Sequence, residues 1–435
     1  MAKITNPILQ PQEEYLPEKL NPKILYGLPS KVTFCSKCCF SNQKPNSELE
    51  YKHNFKTKKP TVQLDENHVC SACKISEKKK LINWAEREKM LKDLCDKYRR
   101  KDGKYDCLVP GSGGKDSFYA AHKLKYEYNM NPLTVTWAPV LYTDWGWKNF
   151  QSWIQSGFDN YLFNANGKIQ RLLCRLALEN LFHPFQPFIM GQMYFPPKIA
   201  NMLDIPLVFY GENPTEYGNN SNEDNSATKN ANYFSYKKDE EIFISGMSLF
   251  ELKDLFKLTE NDLAPYLPIN SDQISDKRID VQYLGYYIPW HPQECYYYAV
   301  EHGGFQSSPE RTPGTYSKYS SIDDKIDDLH YFTTFVKFGI GRATYDASQE
   351  IRSGDITREE GVSLIKRFDG EFPERFIHEL FDYLSITKTD FPNIYNRFET
   401  PIMNMSYFTK LTDSFRSPHI WKIDEGNWKL RSTVY

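Results

Sequence analysis

The segment Val109-Pro110-Gly111-Ser112-Gly113-Gly114-Lys115-Asp116-Ser117 gathers residue types suited to holding phosphate. Consecutive glycines let backbone N–H groups close on an anion, and a helix N-terminus adds partial positive charge. A Walker A loop needs Gly-x-x-x-x-Gly-Lys-Ser/Thr. Here Val109 stands at the first glycine position and Asp116 follows the lysine, so that reading fails.

Two further groups could do chemistry. Cys35-Ser36-Lys37-Cys38 and Cys70-Ser71-Ala72-Cys73 can supply four thiolates in the closed tetrahedron of a structural Zn²⁺. Their separation exceeds usual zinc-ribbon spacing, and Cys39, His53 and His68 are alternative fourth ligands. The run Gly211-Glu212-Asn213-Pro214-Thr215-Glu216-Tyr217-Gly218 follows a predicted strand. In it Glu212 is placed to bind Mg²⁺ or orient a nucleophile, with Asn213, Glu216 and Tyr217 as substrate contacts. Lys337 and Arg342 form a cation pair for an acidic sugar or a triphosphate, and Lys318 sits in the aromatic segment Gly314 to Tyr319. His291 and His302 are read as structural.

These residues need a scaffold. From Tyr105 short apolar runs alternate with helical patterns, which is the grammar of a parallel α/β sheet. Strands are expected at 107–109, 132–137, 160–163 and 205–210, and helices after Lys115, at 147–156 and at 169–181. The fold class is therefore α/β, a doubly wound and mainly parallel sheet. Its ligand crevice lies at the carboxyl ends of the strands, so the two glycine-bearing loops should line one pocket.

Before the sheet come an extended arm (1–32), a zinc-ribbon-like module (33–76) and a connector helix (77–104). The sheet domain spans 105–300, with a polar lid at about 212–236 that contains the Asn/Ser-rich stretch 219–232; a mostly helical region (301–435) ends the chain. Net charge is only −2, which excludes the broad positive field of a dedicated nucleic-acid binder. No stretch nears the roughly 18 apolar residues of a membrane span, and Met1 to Pro7 lacks an apolar signal core. With an odd count of 9 cysteines, this predicts a cytoplasmic protein whose thiols are free or metal-bound.

Ser112 to Ser117, between a strand and a helix, resembles the Ser-Gly-Gly-x-Asp-Ser signature of the PP-loop (N-type) ATP pyrophosphatases, which have a HUP-like fold. That resemblance implies ATP and Mg²⁺. Ser112, Gly113, Gly114 and Ser117 would grip the β,γ-pyrophosphate, Lys115 would offset its charge, and Asp116 would order the loop or the Mg²⁺. Lys115, Asp116 and Glu212 form the catalytic set, and Thr136 and Trp137 join the nucleotide-binding set.

The paired knuckles, Tyr283-Leu284-Gly285-Tyr286-Tyr287, the stretch Asp323 to Arg342 with Lys337-Phe338-Gly339, and Ile351 to Glu360 add a finer likeness. Over about residues 30–430 the chain resembles the N-acetyl sugar amidotransferases that make acetamidino sugars for lipopolysaccharide O-antigen and flagellin glycans. The implied reaction adenylylates the acetamido oxygen of a nucleotide-activated or nonulosonic sugar, and ammonia then replaces AMP. Residue 2 is Ala, and Cys107, Cys174 and Cys295 lack flanking glycines, so no glutaminase nucleophile is evident. The resemblance implies a separate glutaminase subunit of the histidine-biosynthesis glutaminase/cyclase kind. The rival readings are a PP-loop tRNA thiolase, which needs further reactive cysteines beyond the loop, and a non-catalytic nucleotide-binding subunit.

Overall fold

The structure, a computed structural model, describes residues 23–47, 49–217, 226–274 and 279–435, with the backbone alone at 216–217 and 273–274. The four knuckle cysteines cluster in a small module whose first helix, α1, is Ser71–Lys79. The single connector helix expected from Glu77 is two helices: α1 ends, and α2 (Trp84–Tyr98) starts afresh behind Asn83. The Asn83 side chain accepts a hydrogen bond from Glu86 N at 3.3 Å, satisfying one of the orphan donors that a helix start creates.

The sheet has five strands: β1 (Cys107–Pro110), β2 (Pro132–Trp137), β3 (Asn160–Phe163), β4 (Leu207–Tyr210) and β5 (Asp280–Tyr283), in the order β3-β2-β1-β4-β5. All neighbours are parallel, with Cys107 opposite Pro132, Leu108 opposite Val208 and Leu207 opposite Asp280. Strand order reverses beside β1, so the crevice opens between the ends of β1 and β4.

Alternate strand residues face opposite sides. Leu108, Leu133, Val135 and Val208 pack with α5 (Gly167–Leu181) and α6 (Gln186–Met202) on one face. On the other face, Cys107, Val109, Leu207 and Phe209 pack with α3 (Lys115–Tyr126), α4 (Asp144–Gln155) and α7 (Pro292–Gly303). The central strands are fully buried, as a doubly covered parallel sheet requires.

The C-terminal region contributes α8 (Lys325–Phe338), α9 (Arg342–Ser353), α10 (Arg358–Phe368), α11 (Ile377–Leu384), α12 (Met405–Phe415) and a hairpin of β6 (Trp421–Asp424) and β7 (Asn427–Leu430). Its core reaches α5: Cys174, Leu178 and Phe182 pack with Ile326, Leu329, Phe332 and Phe408. The hairpin is pinned by Trp421 Nε1 donating to Val336 O at 2.8 Å and Trp428 Nε1 donating to Asp413 Oδ1 at 2.8 Å. Of the expected arm, residues 1–22 lie outside the described residues, and Leu28 packs against this hairpin.

The C-terminal region is anchored over the sheet at Asp324. Its carboxylate accepts hydrogen bonds from Val140 N and Leu141 N, beyond β2, and from Ile326 N in the first turn of α8. Gly146 fits the same junction because a Cβ there would stand 2.5 Å from the Asp323 backbone.

Candidate active site

The glycine loop turns directly from β1 into α3. Gly113 has φ +86°, and a Cβ on it would lie 2.7 Å from Phe150 Cα and 2.9 Å from Asn149 O. Glycine is therefore required to press the loop against α4. Gly114 caps α3 with no side-chain hydrogen bond to the helix, and a Cβ there would meet nothing nearer than Ser112 Oγ at 3.9 Å. The helix start thus leaves donors facing a hollow that a methyl group would fill, a geometry that fits a phosphate-type anion.

Lys115 is buried, and its Nζ donates to both Asp116 carboxylate oxygens at 2.7 and 2.6 Å. Burial is the largest single influence and lowers its pKa, but the Asp116 charge and hydrogen bond together with the Cys295 and Glu212 charges outweigh it, and the net shift is upward. Glu212, at the exit of β4, is pushed up to about 7 by burial first and then by the Asp116 charge, with Lys115 opposing. Gly285 N donates to Gly211 O at 2.9 Å, tying the end of β5 to this turn. Two carboxyl groups beside a lysine, one of them keeping its proton to near neutrality, can hold a proton or, once ionised, share a divalent cation.

Ser112, Gly113, Gly114, Lys115, Asp116 and Glu212 open onto one cavity of about 570 Å³. A second lobe of about 560 Å³ adjoins it, sharing Asn46, Glu50, Glu212, Asp323, Asp327 and His330 as walls. Lys337 and Arg342 line the first lobe and Asn213 the second. Ser117 is at the loop's end, its Oγ donating to Gly114 O at 3.0 Å.

Besides Ser117, which lines neither lobe, three further described residues of the expected set are not brought to the cavity. Thr136 is enclosed in the sheet, where its hydroxyl accepts from Asn160 Nδ2 at 3.0 Å. Trp137 packs in the core with Phe163, Phe195 and Tyr266. Both side chains are buried in the packing on either face of β2, and neither lines the cavity, although Trp137 ends the strand. Lys318 is exposed and donates to Pro309 O at 2.8 Å. The side chains of Glu216 and Tyr217, and lid residues 218–225, lie outside the described residues.

The cavity also holds groups that were not assigned to it individually: Glu50, His53 (expected only as an alternative zinc ligand) and Lys59 from the N-terminal module, His183 after α5, and Asp327, His330 and Tyr331 from α8. Asp327 is raised to about 7 by burial and then by Asp323, and Lys337 is lowered to about 7 by burial and then by Lys59. His330 is lowered to about 3 by burial. Asn46 Oδ1, Tyr210 OH and His330 Nδ1 are buried atoms with no hydrogen-bond partner among the described residues, as expected where a polar ligand completes the set. Arg342 pairs with Asp346 at 2.9 Å and donates to Tyr331 OH. The sequence signals for Asp323 and Asp327 were their place in the stretch Asp323 to Arg342 that carries the finer resemblance and an acidic run at a helix start, which ordinarily serves the helix dipole.

The four knuckle sulfurs lie within 4.8 Å of one another, with Cys38 Sγ and Cys70 Sγ 3.6 Å apart and Cys35 Sγ and Cys73 Sγ 3.9 Å apart. A tetrahedron with Zn–S of about 2.3 Å has edges of about 3.8 Å, so the donor set fits a zinc ion. Backbone N–H groups of Lys37, Cys38 and Cys70 point at Cys35 Sγ, a contact that stabilises thiolate charge. Of the alternative ligands, Cys39 packs with Ala343 and Ala347 and His53 lines the cavity, both apart from the cluster. The module docks on the C-terminal region through Arg358, which donates to Cys38 O and Cys35 O at 3.3 and 3.4 Å.

Residues 313–435 match the family model described as LPS biosynthesis protein WbpG-like, C-terminal domain. This matched region supplies Asp323, Asp327, His330, Lys337 and Arg342 to the cavity. Over 83 residues, 19% of this chain, the sequence is 32% identical to the uncharacterized protein MJ1599 of Methanocaldococcus jannaschii. That alignment covers 29% of MJ1599, less than a third of its length. Among the described residues no helix is long and apolar enough to cross a membrane.

Proposed function

We propose that this protein is an ATP-dependent amidotransferase that converts the acetamido group of an activated N-acetyl sugar into an acetamidino group. The observation that carries the reading is the uncapped, glycine-lined start of α3 facing a cavity whose opposite wall comes from the lipopolysaccharide-type C-terminal region. One wall suits a polyphosphate, and the other suits a sugar.

The residues have distinct tasks. Backbone N–H groups at Gly114 and the start of α3, with Lys115, hold the two terminal phosphates of ATP and stabilise them as they leave as pyrophosphate. Asp116 and Glu212 would hold Mg²⁺, which supplies charge neutralisation at the phosphates. The two lobes set the acetamido oxygen at near-attack distance from the α-phosphorus. A P–O bond then forms as the bond to pyrophosphate breaks. Ammonia adds to the activated carbon, the ammonium of that adduct gives one proton to a cavity carboxylate, and AMP departs with the former acetamido oxygen to leave the amidinium. Asp327, protonating near neutrality in the shared wall of the lobes, is placed for that task. A separate glutaminase subunit would deliver the ammonia.

Thiolation is less well supported, because among the described residues no cysteine lines either lobe. Cys295, though electrostatically close to Lys115 and Asp116, is buried and its thiol is pushed up by that burial. The test is incubation with ATP, Mg²⁺, ammonium and a panel of nucleotide-linked and nonulosonic acetamido sugars. AMP, pyrophosphate and a sugar with NH in place of one carbonyl oxygen are expected; ADP and phosphate, or turnover without any sugar, would contradict the proposal.

A further inference from the structure

The second lobe contains a cation that no described protein group answers. Lys229 lies on a stretch pinned to β5: Lys229 N donates to Val281 O at 2.8 Å, Tyr283 N donates to Ala227 O at 2.9 Å, and Gln282 Nε2 donates to Thr228 Oγ1 at 3.0 Å. A sheet edge therefore holds its backbone in place. Its side chain lines the second lobe, with Nζ 4.4 Å from the Tyr210 ring centroid. Among the described residues this ammonium has no hydrogen-bond acceptor and no ion pair. The ring face attracts it but leaves its N–H donors unfilled. Burial lowers its pKa to about 8, with no carboxylate lifting it back, so it is still mostly charged at neutral pH.

The other charged groups nearby have their own arrangements. Glu50, Glu212, Asp323 and Asp327 stand in the wall shared with the first lobe. Glu50 lies 3.5 Å from His53, and Glu212 and Asp327 are each pushed up to about 7 by burial first. The two cations expected from the sequence to meet an acidic sugar are engaged: Lys337 Nζ donates to Leu181 O at 2.7 Å, and Arg342 pairs with Asp346 at 2.9 Å.

The rest of the lobe suits a small organic ligand. Phe185, Phe188, Ile189 and Met193 give it apolar walls. Asn46 Oδ1 and Tyr210 OH, on two other lining residues, have no partner among the described residues. About 560 Å³ of space with apolar walls and a few placed polar groups is the make-up of a ligand pocket. Charge decides which ligand. A neutral one would leave the ammonium desolvated and unpaired, and a phosphate group would bring about 1.5 to 2 negative charges to a single cation. A carboxylate brings one.

We propose that the second lobe selects a ligand bearing a carboxylate and that Lys229 is the residue that pairs with it. That the ligand is a sugar rests on the amidotransferase reading, and the two together make the substrate an acidic acetamido sugar. Its carboxylate can belong to a free nonulosonic acid or to a nucleotide-linked uronic acid.

The test is calorimetric titration of the full chain with two matched pairs: N-acetylneuraminic acid against its methyl ester, and UDP-N-acetylglucosamine against its uronic acid form. Each is measured with and without Mg²⁺ and an α,β-methylene analogue of ATP. In at least one pair the acid is expected to bind tenfold or more tighter than its neutral partner, and the pair that shows it identifies the source of the carboxylate. Lys229→Met should erase that preference and leave the neutral ligand's affinity unchanged, Lys229→Arg should keep part of it, and Lys115→Ala should keep all of it. If Lys229→Met does not fold, Lys229→Gln takes its place with the same expectation. Equal affinity for acid and neutral ligand in the wild type, an undiminished preference in Lys229→Met, or no binding by either pair would overturn the proposal. Acid preference that depends on Lys229, with no amidine formed from any sugar, would uphold this inference and remove the amidotransferase reading; amidine formed from neutral sugars alone would do the reverse.

Discussion

Gly114→Ala separates phosphate holding from folding. Gly114 has φ −66° and ψ 159°, a backbone that any residue adopts. Alanine at a compatible site gains about 0.4–1 kcal/mol through the unfolded chain and loses a comparable amount at an N-cap. The variant should therefore keep its stability within about 1 kcal/mol. Its methyl, however, enters the hollow beside Ser112 Oγ, where a phosphate oxygen must come within about 3 Å of the helix N–H groups. Losing two charge-assisted hydrogen bonds at about 1.5–3 kcal/mol each weakens nucleotide binding by roughly 100-fold or more. Gly113→Ala is the contrast. Its φ of +86° and its contacts with Phe150 and Asn149 backbone atoms cost about 1–2 kcal/mol in conformation and about 1–3 kcal/mol in overpacking, so it should lose stability first. The assay pairs calorimetric titration of Mg-ATP with thermal unfolding. Wild-type ATP affinity in Gly114→Ala, or wild-type stability in Gly113→Ala, would refute the reasoning.

Three further expectations concern other parts of the molecule. Metal analysis should find one zinc per chain, and Cys70→Ser should lose it together with several kcal/mol of stability; a metal-free wild type that unfolds at the same temperature as the variant would count against the site. Glu212 has its folded pKa raised from 4.5 to about 7, so the unfolded chain binds fewer protons between those values and this contribution to stability is lost as pH rises through them. Without nucleotide, the thermal midpoint of the wild type should therefore fall more steeply than that of Glu212→Gln between about pH 5 and pH 7.5, and parallel curves would argue that Glu212 is not desolvated. Asp324→Ala removes three backbone hydrogen bonds at the junction of β2 and α8 and should cost about 2–4 kcal/mol in denaturant unfolding, against a near-neutral outcome if that junction is incidental.

The sheet and loop were legible because their signals are local. Short apolar strands, a glycine turn and a helix with Phe118, Ala121 and Leu124 inward are written in consecutive residues. The cysteine pairs were legible for the same reason. Strand β5 was not, since Asp280-Val281-Gln282-Tyr283 carries two polar residues and gains strand status only from its pairing with β4. Helix α6 was missed because it contains Gly191 and Pro196-Pro197, ordinary helix breakers, which tertiary burial overrides. The break between α1 and α2 hid because apolar spacing continues across it, while the cap at Asn83 is a single residue.

The site divides along the same line. The phosphate loop is contiguous, whereas the cavity wall draws Glu50, His183 and the pair Asp327 and His330 from three distant stretches, and no spacing rule joins residues brought together only by docking of the C-terminal helices. Thr136 and Trp137 show the converse limit: a position in the right strand does not say which way its side chain faces, and burial on both faces of β2 sends both inward.

The central claim is that the acetamido oxygen attacks the α-phosphorus of ATP. An acceptor sugar carrying heavy oxygen in its acetamido carbonyl tests this directly by mass spectrometry of the products. The account predicts that the label leaves in AMP, with unlabelled pyrophosphate and a label-free amidine. Label retained in the sugar, or released in inorganic phosphate beside ADP, would contradict it.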